Sequence, residues 1–351
     1  VRLDLDGPKL EAEADAPGAA RVTAEGEGAE TAVRTEVLSI AAYGGLLGVP
    51  AGTELDGTAT LAMTLVDGPD GNLASARGRV ESVDARLGPH RLSLPSPAPF
   101  AWAADRLTWQ DARLAARRLV DGSASLPEGE VVSSGSVQTA EGGLLEARAS
   151  GTVEAALLAP FLGFASLEGR MGVSGVATGT VDHPVFEGRL ELDGVELVTS
   201  PGATPVEAIT GTLQLTPGRV TTDDLTMRWN GNVAVAGALT LDGLSTTGLR
   251  LNVHLDGVRS QPFPGLKTTV SGDLVLLGDD DVRSARGELT MVRGLYDQDL
   301  DLSLQALLGS RRGAELPPEP TRFDDVALEV RIGIPPGALE VRNNVARMRG
   351  S

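Results

Sequence analysis

Leu249-Arg250-Leu251-Asn252-Val253-His254-Leu255-Asp256-Gly257 alternates without a break. In an extended chain Leu249, Leu251, Val253 and Leu255 point one way, and Arg250, Asn252, His254 and Asp256 the other. The same period of two returns over Val326 to Ile334, with Val326, Leu328, Val330, Ile332 and Ile334 on one side, and at Val233, Val235, Leu239 and Leu241. Shorter runs occur at Leu190/Leu192, Leu213/Leu215, Val270/Leu274/Leu276, Leu289/Met291 and Leu300/Leu302/Leu304. A strand buried on both faces reads as a continuous apolar run, whereas these strands have one apolar and one wet face. The apolar face must pack on another sheet, fold over onto itself, or hold something apolar.

Composition agrees with many strands and many turns. Gly 44 and Pro 21 together make nearly a fifth of 351 residues, against an average of about 12%. With 41% hydrophobic residues the chain has enough apolar content to fold. At this length it fits two domains or one large β body. Helical patterns are few. Glu36 to Leu47 (EVLSIAAYGGLL) and Val153 to Leu162 (VEAALLAPFL) predict short helices of about three turns. Gly44, Gly45 and Pro160 weaken them. Asp111 to Leu119 (DARLAARRL) reads as helix or strand. Leu94 to Phe100 (LPSPAPF) and Leu316 to Pro320 (LPPEP) read as loops. Residues 46–60 resemble 161–180, with Gly57 and Gly169 in matching places, a hint of internal duplication. The expected organisation is a β-rich repeat segment over 1–150 and a second β-rich segment over 151–351, or one continuous body.

Several function classes are disfavoured. The net charge of −18 is wrong for phosphate-backbone binding. Cysteine is absent, so there is no thiol nucleophile, disulfide or cysteine-held zinc. Eleven aromatic rings are few for the girdles of a membrane barrel. No apolar run reaches the length of a transmembrane helix. The opening Val1-Arg2-Leu3-Asp4-Leu5-Asp6 reads as a strand rather than a signal peptide, and the chain reads as a fragment of a longer protein.

The catalytic inventory is thin. Asp279-Asp280-Asp281 offers oxygens to calcium but lacks the spacing of a calcium loop, so a solvated turn explains it. Asp223-Asp224 and Asp324-Asp325 read as polar strand ends. A glycosidase dyad would need a sugar cleft lined by aromatics. His183 and His254 have no second histidine at ligand spacing. The Ser-Gly pairs at Ser134-Gly135 and Ser174-Gly175 do not form a nucleophile elbow, and no phosphate loop is present. The expected protein is therefore not an enzyme and carries no metal or cofactor.

Gly179-Thr180-Val181-Asp182-His183-Pro184-Val185-Phe186-Glu187-Gly188-Arg189-Leu190-Glu191-Leu192 resembles a strand-turn unit of the TamB family, AsmA-like proteins of the two-membrane bacterial envelope. Val270-Ser271-Gly272-Asp273-Leu274, followed by Arg286-Gly287-Glu288-Leu289 to Gly294-Leu295-Tyr296, is similar to a second run of that family. Ile334-Pro335-Pro336-Gly337-Ala338-Leu339 resembles the stretch ahead of its C-terminal domain. The likeness covers 151–351, and 1–150 only in texture. It implies an elongated curled β-sheet, a β-taco, with an apolar concave groove and one or two short helices. It further implies a periplasmic bridge carrying phospholipid between inner and outer membranes, anchored in the inner membrane by a helix outside this sequence. An outer-membrane barrel partner would be met through a C-terminal region also outside it. The alternative is a scaffold for outer-membrane protein assembly, with a sheet edge templating a client strand. In the first reading acyl chains lie against Leu190, Leu192, Val233, Val235, Leu249, Leu251, Val253, Leu255, Leu274, Leu276, Leu289, Met291, Leu328 and Val330. A closed sandwich of the same residues is the competing structural reading.

Overall fold

The computed structural model describes the chain except residues 1, 7–8, 17–19, 28–29, 38, 44–53, 69–72, 121–122, 141, 160–163, 182, 243–244, 280–282, 298–325, 343–346 and 350–351. The protein is all-β: apart from two single turns of 3₁₀ helix, its named elements are strands. It divides into two compact units. The first holds Val1–Pro205 with Leu213–Pro217, and the second Val206–Thr212 with Gly218–Ser351.

The first unit begins with β1 Arg2–Asp6, β2 Lys9–Ala16, β3 Ala20–Glu27, β4 Glu30–Val37, β5 Leu55–Asp67 and β6 Leu73–Leu87. Each pairs antiparallel with the next. The short strands β7 His90–Ser93 and β8 Ala98–Ala103 share one slot, both lying between β6 and β9 Arg106–Val120. The ladder then continues through β10 Ser123–Gln138, β11 Leu145–Glu154, β12 Ser166–Gly179 and β13 Pro184–Val198. β14 Val206–Thr216 is divided between the units by sequence.

The second unit holds β15 Arg219–Arg228, β16 Asn232–Asp242, β17 Ser245–Phe263, β18 Leu266–Asp279 and β19 Arg283–Tyr296, again an antiparallel succession. It ends differently. β20 Val326–Gly333 and β21 Leu339–Arg342 both run parallel to β19, one after the other along it, and β22 Arg347–Arg349 returns antiparallel to β21.

Short connections explain the antiparallel order, because adjacent strands join through tight turns. β8 and β9 meet through Ala104-Asp105, both with positive φ (48° and 57°), which matches the twist of a two-residue hairpin. Pro184 opens β13, opposite Gly179, at a position where a missing N–H costs the ladder little.

Several sequence expectations are corrected or resolved. Glu36 and Val37 belong to β4, paired with Thr60 and Ala59, and only Ile40–Tyr43 forms a 3₁₀ turn. Val153 and Glu154 belong to β11, paired with Met171 and Arg170, and Ala155–Leu158 forms a 3₁₀ turn. Residues 44–47 and 160–162 of the two expected helices lie outside the described residues. An isolated helix of three turns is marginal, and ladder pairing claims its first residues. Asp111 to Leu119 is strand throughout. Asp111 sits at a bulge with φ 48°, its N–H donating to Ser134 Oγ at 2.9 Å. The loop expected over Leu94 to Phe100 is shorter, since Ala98, Pro99 and Phe100 already pair with β6. Residue 150 lies inside β11, which is paired on both sides, so the units part further along the chain.

Candidate functional site

Register decides whether alternating residues become a surface. In the second unit Met227, Val233, Leu255, Gly272, Leu289 and Ile332 stand directly across from one another in turn, over six strands. The next row is Leu225, Val235, Val253, Leu274, Gly287 and Val330. The next is Thr222, Gly237, Leu251, Leu276, Ala285 and Leu328. Leu239 faces Leu249 in a fourth row, and Val258, Val270 and Met291 form a shorter one beyond a bulge. Twelve of the fourteen residues expected to line a groove thus share one face of the second unit. A slip of one residue anywhere would send a strand's whole apolar set to the other side.

The remaining two, Leu190 and Leu192, lie on β13 of the first unit, opposite Val173 and Met171. They belong to an equally regular face. One row runs through Ala24, Val33, Met63, Gly78, Phe100, Trp109, Gly135, Ala147, Ala177 and Phe186, one residue per strand and none of them polar. A second runs through Leu65, Ala76, Trp102, Leu107, Val137 and Leu145.

Neither face is sealed. Val233 and Leu255 are buried, at 7% and 8% exposure, and with Val258 they anchor a cluster joined by Met227, Val235, Val253, Val270, Leu274 and Leu289. Met291 is buried as well. Leu249, Leu251 and Leu276 are half-buried, as are Leu190, Leu192 and Val330. Leu328 is 72% exposed. Among the described residues no large apolar side chain is fully buried, whereas a sandwich core interdigitates until its large side chains are enclosed.

Glycines hollow the faces. At Gly272 φ is +148°, and a β-carbon there would stand 2.2 Å from the Glu288 carbonyl oxygen. Glycine is therefore required, and it leaves a gap between Leu255 and Leu289. In the first unit the small residues Ala147, Ala149, Gly175, Ala177 and Gly188 open a hollow of about 290 Å³, flanked by Val173, Phe186, Leu190 and Leu215. Ser133 also lines it, and its hydroxyl accepts the Trp109 indole N–H at 3.2 Å. A hollow flanked by these aliphatic and aromatic side chains suits a hydrocarbon.

The opposite faces are charged. A wider hollow of about 650 Å³ in the first unit lies among Thr23, Glu25, Arg34, Arg77 and Arg79. Arg34 and Arg79 both close on Glu81, at 2.9 and 3.1 Å, so two of its cations share one carboxylate. Arg91 grips Asp84 with Nε and Nη2, and this charged hydrogen bond holds the Asp84 carboxyl below the usual carboxylate range. His254 stands on the polar face of β17, its Nδ1 2.7 Å from Asp273 Oδ1. The His183 N–H donates to Thr180 Oγ1 at 3.1 Å within its turn. Asp280, Asp281, Asp324 and Asp325 lie outside the described residues, as do Leu300, Leu302 and Leu304. Among the described residues no cluster of three or more metal-ligating side chains occurs.

Sequence reading missed the aromatic part of the first unit's face. Phe100 and Trp102 alternate on β8, and Leu107 and Trp109 on β9. The signal was present as two alternating pairs flanking Ala104-Asp105, a turn pair without the usual glycine or asparagine.

No family model, curated protein or solved structure matches the chain.

Proposed function

We propose that the chain is a non-catalytic carrier segment that holds phospholipid acyl chains on its apolar sheet faces and passes them along a bridge between the inner and outer membranes. The observation that carries this reading is the register: it aligns aliphatic residues of successive strands into rows that stay unsealed. Each acyl CH₂ moved from water onto such a face gains about 0.8 kcal/mol. Dispersion is non-directional, so a chain can slide from row to row without breaking a specific contact. The hollow beside Leu190 and Phe186, flanked also by Val173 and Leu215 and with the Ser133 hydroxyl already bonded, supports an apolar occupant over a polar one. The periplasmic setting, the inner-membrane anchor and the barrel partner rest on the TamB resemblance alone.

Native mass spectrometry of the purified chain, with solvent extraction and lipid analysis, tests the proposal. Phospholipid should co-purify, and should be lost from Leu251→Asp and Leu274→Asp while the strand content persists by circular dichroism. A folded wild-type chain that takes up no phospholipid from vesicles would overturn it.

A further inference from the structure

β20 is paired with β19 along its whole length, and among the described residues its other edge has no partner. Such an edge presents a row of free backbone groups, and proteins usually blunt it with like charges, proline or a bulge. Here the edge is regular. It carries Leu328-Glu329-Val330-Arg331-Ile332, a pattern that reads the same in both directions except that the two charges are opposite. Leu328 is 72% and Ile332 54% exposed. Pro335 and Pro336 follow one residue past its end and stop any ladder there.

We infer that β20 is a self-complementary edge that pairs antiparallel with β20 of a second copy of this chain, about a two-fold axis at Val330. In that register Leu328 faces the other copy's Ile332, Glu329 faces its Arg331, and Val330 faces Val330, so every charge meets its opposite twice over. The strand is already set for this. Glu329 is held by Arg286 at 2.8 Å and Arg331 by Glu288 at 2.9 Å, each directly across on β19. The second copy would extend this row of alternating charge by one more strand on each side. The axis stands perpendicular to the sheet, so the apolar faces of both copies lie on the same side of the seam. The contact is one strand long, well below the area of a permanent interface, so association is reversible and concentration-dependent. This inference is independent of lipid binding.

Sedimentation velocity over a concentration series tests it. The wild type should pass from monomer to dimer. Glu329→Arg and Arg331→Glu each set like charges opposite one another, and each should weaken self-association about tenfold. An equal mixture of the two variants restores opposite charges and should form a heterodimer. In the wild type, hydrogen-exchange protection of the β20 amides should rise with concentration, a readout that needs no variant. A wild type monomeric throughout, variants that dimerise as well as it does, or a mixture that stays monomeric would each overturn the inference. Concentration-independent protection in a monomer would also overturn it and would give the edge to another part of the same chain.

Discussion

Trp109 lies against Gly135 of the neighbouring strand: a β-carbon on that glycine would stand 2.7 Å from Trp109 Cζ2 and 2.6 Å from the Glu146 carbonyl oxygen. The glycine gives the indole a seat, and the indole covers backbone that a glycine leaves bare, a pairing known to strengthen sheets. Gly78 and Phe100 repeat it two strands away, the prospective β-carbon falling 2.7 Å from Phe100 Cζ. Gly135→Val should therefore destabilise the protein by about 2–3 kcal/mol through overpacking. Urea unfolding followed by tryptophan fluorescence reads this directly. An unchanged midpoint would mean that the ring moves aside freely.

Two glycines of the second unit should behave oppositely. Gly272→Ala meets the Glu288 carbonyl oxygen at 2.2 Å from a φ of +148° and should cost upwards of about 2 kcal/mol. A β-carbon on Gly248 would lie 3.5 Å from Thr240 Cβ, ordinary contact distance, with φ outside the glycine-favouring region. Gly248→Ala should thus be neutral or stabilise by about 0.5 kcal/mol. Equal effects of the two substitutions, by thermal or urea melts, would contradict the register drawn for β17 to β19.

Filling the hollow beside Phe186 separates ligand binding from folding. Ala177→Phe places a ring in open space between Phe186 and Ala147. It should lower the affinity for a fluorescent long-chain fatty acid about tenfold with little change in melting temperature. Retained affinity would place the hydrocarbon elsewhere on the face.

The Asp84–Arg91 pair gives a pH signature. The Arg91 guanidinium lowers the Asp84 carboxyl in the folded state. Its contribution is then fully present above the ordinary carboxylate value and disappears as pH falls through the lowered one. Both side chains are about half exposed, so solvent screening keeps the contribution to about 1 kcal/mol or less. The stability difference between wild type and Asp84→Asn should be small at neutral pH and vanish in acid. A difference that grew on acidification would reverse the assignment.

Much of the fold was legible in the residues. Strict alternation at Leu249–Leu255 and Val326–Gly333 announces one-faced strands, because the side-chain period of an extended chain is two. Leu251 and Leu276 meet because the turn between β17 and β18 fixes a register, and no pattern in either strand states that offset. The short helices were overread because local propensity at Glu36–Leu47 ignores the ladder waiting on β5. The aromatic half of the first unit's face escaped notice because Gly78 and Gly135 look like turn residues until the neighbouring rings are seen to cover them. The parallel sense of β20 has no local signature at all.

That parallel seam sets an order of events. Antiparallel neighbours in the second unit close across tight hairpins, Asp242 meeting Ser245 and Gly278 meeting Arg283. Arg283, by contrast, meets Val326, 43 positions later (326 − 283). Loop closure over that span carries an entropy penalty that local zippering avoids, and non-local pairing slows folding. The hairpins should therefore form in sequence as the chain emerges, with β19 briefly the growing end of the sheet. β20 then arrives after them, as a latch on hairpins already assembled.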